Sequence, residues 1–151
     1  MNALSPHVIK YIDQSVLCWL ATTDQNLQPN VSPKEIFTCF GKEHIIIANI
    51  ASPQSAKNIR LNDKVCLSFI DILVQKGYQL YGSARIVDQT ASDFAAMENL
   101  LTRKTEGKFP FVTIFDIAVN RVKPIIAPRY NFYPLTTEEE QIASARRLYG
   151  L

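Results

Sequence analysis

The sequence predicts a mainly β protein, an antiparallel β-barrel with flanking helices. Short apolar runs, several of them alternating or rich in β-branched residues, recur along the chain. Hairpin-type turns, with few helices, separate these runs, whereas a parallel doubly wound sheet needs a helix after nearly every strand. The chain has 151 residues, of which 47% are hydrophobic and 20% charged. We therefore expect one domain over residues 1–151, with a C-terminal tail and helix from about residue 124.

The first part of the chain is predicted to form a helix and two strands. Ser5, directly before a proline, is a typical helix start. The run VLCWLAT at 16–22 indicates a core strand with Trp19 buried, and a polar turn then returns the chain as a strand over residues 29–40. Pro33 lies inside this second strand and cannot donate to a ladder, so the strand is expected at an edge or with a bulge.

Residues 44–62, HIIIANIASPQSAKNIRLN, join a buried strand to a helix start. Ser52, followed by a proline, is a typical N-cap. The first turn of a helix has unpaired N–H donors and the positive end of the dipole, so this junction is a candidate anion site. Ser52 and Ser55 add hydroxyls, and Lys57 adds a positive charge. The alternative, which the local sequence favours, is a capped helix start that binds nothing.

The remaining chain is predicted to hold three more strands and two helices. The strands cover residues 64–71, 78–88 and 112–122, and the helices cover residues 90–103 and 137–149. Gly82 lies inside its strand, which indicates a bulge or a close backbone approach. Thr137, followed by three glutamates, is a capping box. Residues 124–134 are expected to be irregular.

Composition and motifs exclude several classes of protein. A net charge of +2 argues against nucleic-acid and anionic-membrane partners. No apolar stretch is long enough to cross a membrane and no export pattern is visible, so we expect a cytoplasmic protein. Three separated cysteines and two histidines do not predict a metal site. No nucleophile motif or glycine-rich phosphate loop is present, so catalytic residues stay unknown. Glu35 and Asp116 are more typical of satisfied or solvated carboxylates than of an acid–base pair.

Two polar strand segments are expected to meet beside the candidate anion site. If their strands are hairpin neighbours, Ser32–Lys34 and Ile47–Asn49 lie side by side at one rim. A planar ligand would then lie against their backbone while its phosphate reaches the helix N-terminus, and each charge-assisted hydrogen bond would contribute about 1.5–3 kcal/mol. The alternative is solvated surface lysines and serines that bond to the local backbone.

The segments LATTDQNLQPNVSPKEIF, HIIIANIASPQSAKNIRLNDKVCLSF and YQLYGSARIVD, in this order, resemble the FMN-binding split-barrel family. That family includes relatives of pyridoxamine 5′-phosphate oxidase and general-stress flavoproteins. The resemblance covers about residues 16–122. It implies a six-stranded antiparallel split barrel of Greek-key type and a homodimer that binds FMN at the subunit interface.

The resemblance implies an FMN-dependent oxidoreductase that passes electrons or hydride between a reduced nicotinamide or small-molecule substrate and an acceptor. A non-catalytic FMN carrier or sensor, or a split barrel that binds haem or a deazaflavin, remains open. Lys34 is the best candidate for the cation near N1 and O2 of the flavin. Carried over by position, Ser32, Pro33 and Lys34 line the isoalloxazine edge, Ile47, Ala48 and Asn49 contact the ring and ribityl chain, and Ser55, Lys57 and Asn58 hold the phosphate or anchor its loop.

Two departures from the family pattern limit the carry-over. Many relatives have Lys or Arg where this chain has Gln54, so phosphate binding is expected to depend on Lys57, Lys34 and backbone donors. The tail lacks the Trp-Arg and Arg-Leu pattern with which true pyridoxamine phosphate oxidases bind their substrate, so that activity is not expected. Two roles stay open for Arg129, Tyr130 and Phe132, which either close over the flavin from the second subunit or pack the dimer.

Overall fold

The computed structural model describes residues 4–151, and one seven-stranded antiparallel sheet forms its centre. Across the sheet the strands follow the order β2-β1-β5-β6-β7-β4-β3. The strands are β1 (Cys18–Thr23), β2 (Pro29–Lys34), β3 (Phe37–Phe40), β4 (His44–Ala48), β5 (Lys64–Asp71), β6 (Lys76–Val87) and β7 (Ile114–Ile126). The helices are α1 (Pro6–Gln14), α2 (Pro53–Leu61), α3 (Phe94–Thr105), α4 (Pro128–Phe132) and α5 (Glu138–Tyr149).

The sheet curls into a half-open barrel because consecutive strands occupy its two opposite edges. β2 ends at Lys34 on one edge, and β3 begins at Phe37 on the other. Three residue steps span at most about 11 Å, so the two edges must approach each other here. The N–H of Ala48 donates to the carbonyl of Ile36 at 3.0 Å beside this crossing. The mainly β split barrel is therefore confirmed, with seven strands where six were predicted, because residues 29–40 form two strands.

Apolar side chains are buried on both faces of the curled sheet. The larger cluster fills the inner face, where Leu20, Leu67 and Phe115 pack with residues of α1 and α2. A second cluster lies on the other face, where α3 covers Ile46 and Ile114. Removing this apolar surface from water is the main favourable contribution to folding. The second cluster also fixes the end of β4 from which the candidate site is built.

Two predictions for the first strands are wrong. Trp19 was expected in the core, but 47% of its surface is exposed. Cys18 and Leu20 face inward, so the alternation of a strand turns Trp19 outward, where it lies opposite Pro33 in the register. The hairpin neighbour of β4 is β3 rather than the Ser32–Lys34 segment, because β2 pairs with β1 at the opposite edge.

Other predictions are confirmed with shifted boundaries, and one is wrong. The register between β6 and β7 shifts at Gly82, which confirms the irregularity predicted there. Thr137 caps α5 with the reciprocal bonds of a capping box. α3 begins at Phe94 rather than near Thr90, because Asp88 holds the preceding residues in a turn through the N–H and hydroxyl of Thr90. The prediction that residues 124–134 are irregular is wrong, because this segment contains the end of β7 and α4.

Candidate functional site

A buried lysine meets three hydroxyl groups at the N-terminus of α2. The Nζ of Lys34 donates to the Oγ of Ser32 at 2.8 Å and to the Oγ of Ser52 at 2.7 Å. The Oγ of Ser55 lies 3.1 Å from that of Ser32. Ser52 precedes the helix as predicted, but its hydroxyl donates to the carbonyl of Ile50 instead of capping the helix. Ser32, Ser52 and Ser55 are called the hydroxyl cluster below.

Lys34 is buried without a carboxylate partner among residues 4–151. The residue is 6% exposed, and no ion pair within residues 4–151 includes it. Burial lowers the pKa of its ammonium group below the ordinary lysine value. The positive end of the α2 dipole also disfavours a cation in this position. A buried ammonium with hydroxyl partners and no carboxylate is an electrostatic arrangement that an anion would complete.

A row of side-chain amides fixes α2 against β1. The Nδ2 of Asn58 donates to the hydroxyl of Thr22 at 2.9 Å, and its Oδ1 accepts from the Nε2 of Gln54 at 2.7 Å. One helical turn later, Asn62 donates to Thr23. Asn58 has no exposed surface, so its side chain is fully used in anchoring the helix that carries the hydroxyl cluster.

A cavity of about 260 Å³ lies where the two edges of the sheet approach each other. Its walls are mostly apolar, and Lys34 and Glu35 are the charged residues among them. Glu35 is exposed, whereas Lys34 joins the cavity to the hydroxyl cluster. The lining residues are Pro33, Lys34, Glu35, Ile36, Ala48, Ile50 and Phe109.

The structure places the nine predicted site residues in different positions. Ile47 is fully buried in the inner core, and Lys57 is exposed with no hydrogen-bond or ion-pair partner within the described residues. Asn49 is joined to Thr113, since its N–H donates to the carbonyl at 3.1 Å and its Nδ2 to the hydroxyl at 2.9 Å. The remaining members lie together: Ser32, Lys34 and Ser55 meet at the α2 N-terminus, Pro33, Lys34 and Ala48 line the cavity, and Asn58 anchors the helix.

The sequence predicted a hydroxyl of Ser52 at the anion site but did not predict Ile50 or Phe109 as site residues. Ser52 carried a signal as a helix cap, but only the structure shows its hydroxyl turned towards Lys34. Phe109 is separated from the other lining residues by much of the chain. The available signal was an aromatic residue between a glycine and a proline in a connection, and local patterns do not predict which cavity such a residue reaches.

A second charged group is structural. The carboxylate of Asp116 is buried between the Nδ1 of His44, at 2.7 Å, and the Nε of Arg85, at 2.8 Å. Arg85 also pairs with Asp93, and these hydrogen bonds raise its pKa while lowering that of Asp93. The interpretation of Asp116 as a satisfied carboxylate is thus confirmed. Within residues 4–151 no three His, Cys, Asp or Glu side chains are grouped to hold a metal ion.

Similar solved structures share this fold. HupZ from Group A Streptococcus is 25% identical, and the match covers 79% of this chain and 91% of that chain with a TM-score of 0.67. An FMN-binding protein from Syntrophomonas wolfei is 18% identical, with coverage of 80% and 84% and a TM-score of 0.67. HutZ, the haem storage protein of Vibrio cholerae, is 16% identical, with coverage of 82% and 94% and a TM-score of 0.65.

No curated protein sequence matches the chain. In the described part of the chain, no helix has the length and apolar character needed to cross a membrane. The sequence model for pyridoxamine 5′-phosphate oxidase matches residues 4–125, which is most of the chain and includes every residue of the hydroxyl cluster and the cavity. The chain therefore belongs to the pyridoxamine 5′-phosphate oxidase family.

Proposed function

We propose that this protein binds FMN, with the phosphate at the α2 N-terminus and the isoalloxazine ring in the cavity. The buried Lys34 is the observation that carries this proposal, because its ammonium group donates to two of the three clustered hydroxyls and pairs with no carboxylate of the described residues. A phosphate there would supply the missing negative charge and accept bonds from Lys34 and the hydroxyl cluster. The apolar walls beside it fit a planar ring.

In this proposal Lys34 also replaces the cation that the α2 loop lacks. Many relatives have a basic residue where this chain has Gln54, and here the Gln54 amide bonds to Asn58. Lys34 belongs to β2, and its Nζ reaches the same end of α2. The positive charge therefore comes from β2 instead of from the α2 loop. Lys34 thereby takes the phosphate end of the ligand, whereas sequence reasoning placed it near N1 and O2. Lys57, exposed on α2, adds charge from the solvent side.

Bound FMN supplies one- and two-electron transfer, and the protein orients it, excludes water and sets the local charge. We infer an oxidoreductase that exchanges electrons between a reduced nicotinamide or small molecule and an acceptor. It is not expected to be a true pyridoxamine phosphate oxidase, since its tail lacks that substrate pattern. A non-catalytic flavin carrier is the alternative within the same binding function.

We also propose that two copies assemble with the cavity at their interface. Trp19 and Pro33 lie side by side on the outer face of the sheet, and Val31 is exposed on the same face opposite Ala21. Pro33 is also a wall of the cavity. This exposed apolar strip extends to the opening of the cavity. It therefore supports a second copy of the chain that covers the strip and the cavity together.

The binding proposal is tested by titrating the apoprotein with FMN and following flavin fluorescence. Lys34→Met should lower the affinity about 10–100-fold, the value of one charge-assisted hydrogen bond of about 1.5–3 kcal/mol. The fold should survive, because an apolar side chain of similar length replaces a buried, unpaired cation. Lys10→Met, on the exposed surface of α1, is the matched control. Equal affinities for the two variants would show that the phosphate lies elsewhere.

Catalysis and carriage are separated by the holoprotein's reaction with NADH or NADPH under anaerobic conditions. Rapid bleaching of the flavin absorption supports the oxidoreductase, whereas no bleaching over many minutes supports the carrier. A protein that is colourless as isolated and takes up no FMN would contradict both.

Haem is the second candidate ligand. HutZ is described as a haem storage protein. In this chain His44 has a carboxylate behind its Nδ1, an arrangement that is typical of metal-ligating histidines. The absorption spectrum distinguishes the two ligands, since haem gives an intense Soret band and flavin does not. The mass of the extracted chromophore identifies a deazaflavin, the remaining alternative.

A further inference from the structure

The segment 106–113 joins α3 to β7 and extends to the cavity. Its first two residues, Glu106 and Gly107, both have left-handed backbone conformations, with φ of 51° and 72°. At its other end, Thr113 is held by the two hydrogen bonds from Asn49. Between them, residues 109–112 make no backbone hydrogen bond to another described residue. We call residues 106–113 the strap.

The strap carries two aromatic rings that line different cavities. Phe111 packs against the apolar cluster under α3 and lines a separate cavity with Val112. Phe109 forms part of the wall of the cavity beside Lys34. Among the described residues, it is the one lining residue from outside the segments 33–36 and 48–50. The strap therefore brings an aromatic ring to a cavity whose other described lining residues are not aromatic.

Phe109 leaves 55% of its surface exposed. Ile36, Ala48 and Ile50 line the same cavity. A flat ring placed there would contact Phe109 and cover part of this apolar surface, and aromatic rings gain further from offset or edge contacts. Phe109 is thus placed to recognise the shape of a ring, while Lys34 is placed to recognise charge.

We propose that Phe109 is a ligand-positioning residue whose ring forms the wall against which a planar heteroaromatic ring packs. The strap carries this wall, between its turn at Glu106 and Gly107 and its attachment at Thr113. The proposal rests on the proposed FMN-binding function and adds a residue that discriminates ring-bearing ligands.

Comparing the binding of FMN and riboflavin distinguishes contacts to the ring from contacts to the phosphate. Riboflavin has the isoalloxazine ring without the phosphate. Phe109→Ala should therefore lower the affinity for riboflavin and the affinity for FMN by the same factor, about tenfold. Lys34→Met should lower the affinity for FMN by a larger factor than the affinity for riboflavin, because only FMN carries the phosphate. Val112→Ala, an exposed residue of the same strap, is the matched control and should bind both ligands like the wild type. Unchanged affinity of Phe109→Ala for both ligands would overturn the proposal.

Flavin fluorescence in tryptophan variants tests the contact between residue 109 and the isoalloxazine ring. In Phe109→Trp, an indole would lie against the isoalloxazine and quench its fluorescence at saturating FMN, whereas Val112→Trp should quench much less. Equal fluorescence in the two variants would contradict the contact. Sedimentation velocity of Phe109→Ala supplies a further check, because a change in oligomeric state would assign Phe109 to subunit packing instead.

Failure of the FMN proposal gives a different result. In that case the wild-type protein binds neither FMN nor riboflavin, and both proposals fall together. Wild-type binding that Phe109→Ala does not weaken removes the role of Phe109 alone.

Discussion

At the scale of single residues, Lys34 combines burial with the absence of a counter-ion. Buried lysines are usually paired, because an isolated charge loses the free energy of hydration without compensation. Here the hydroxyls of Ser32 and Ser52 supply partial compensation as hydrogen-bond acceptors. The free protein therefore carries a local cost at the position where an anion is expected to bind. Such a cost is common at functional sites, where stability is exchanged for affinity.

This cost predicts a pH-dependent stability difference. Burial lowers the pKa of Lys34, so the unfolded chain binds more protons between that lowered pKa and the ordinary lysine value. The free energy of unfolding of the wild type should increase as the pH rises through this window. At pH values below the window, the full cost of the buried ammonium charge should be present. In urea denaturation, apo Lys34→Met should therefore exceed the wild type in free energy of unfolding at neutral pH, with a difference that shrinks towards alkaline pH.

Lys10→Met, which removes an exposed lysine of α1, is the control for the loss of one positive charge. A difference between wild type and Lys34→Met that stays constant with pH would mean that the ammonium group is not destabilised in the folded protein.

At the scale of elements, α2 is positioned by polar contacts as much as by apolar ones. Ala56 and Ile59 enter the inner core, and the amides of Asn58 and Asn62 bond to adjacent hydroxyls of β1. Directed hydrogen bonds fix the rotation of a helix more tightly than apolar contact alone. The hydroxyl cluster consequently has a defined position relative to β2, from which Lys34 arrives.

Asn58→Ala is expected to destabilise the protein by about 1–3 kcal/mol, because the buried hydroxyl of Thr22 and the amide of Gln54 each lose a partner. Lys57→Ala, one position earlier and exposed, should change the free energy of unfolding by less than about 0.5 kcal/mol. Chemical denaturation of both variants without ligand measures this. Similar values for the two would show that the amide row does not hold the helix.

The β6–β7 pair provides a second test at this scale, at the bulge. A Cβ added to Gly82 would lie 2.2 Å from the carbonyl oxygen of Ala118, which belongs to the adjacent strand backbone. Gly82→Ala must displace that strand, so we expect a loss of about 3 kcal/mol or more. Gly41→Ala meets no atom within 4 Å and has only a positive φ to accommodate, so it should cost about 1–2 kcal/mol. Thermal denaturation ranks the two, and the reverse order would contradict the close approach.

At the scale of the whole molecule, the cavity is a consequence of the split in the barrel. The chain crosses from one sheet edge to the other through Glu35 and Ile36, and both residues line the cavity. A sheet closed by a continuous ladder would have no opening there. The same crossing brings the end of β2 close to α2, so the split also creates the contact between Lys34 and Ser52.

The proposed dimer predicts that the outer sheet face controls both assembly and binding. Trp19→Glu places a charge in the exposed apolar strip, so we expect a shift from dimer to monomer and weaker FMN binding. Sedimentation velocity with and without FMN measures both. Leu148→Glu, at an exposed position of α5, is the control and should leave assembly unchanged. A dimer that persists in Trp19→Glu would place the interface on another surface.

The sequence by itself determined the class of fold and much of the local structure. Alternation and β-branched runs predicted the strands, the capping box predicted α5, and the proline in β2 predicted an edge strand. These features depend on neighbours along the chain, so local patterns contain them. The order of the segments also carried the family resemblance, which the match over residues 4–125 confirms.

Only the tertiary structure decided which residues meet. Burial of Lys34, exposure of Trp19 and the arrival of Phe109 at the cavity depend on how the sheet curls and splits. The alternation along a strand indicates which face of the sheet a side chain takes. Which residues form the opposite wall of the cavity depends on contacts between segments that are distant in sequence. The passage from one edge to the other within residues 34–37 is the physical reason, since it turns one predicted strand into two and opens the site between them.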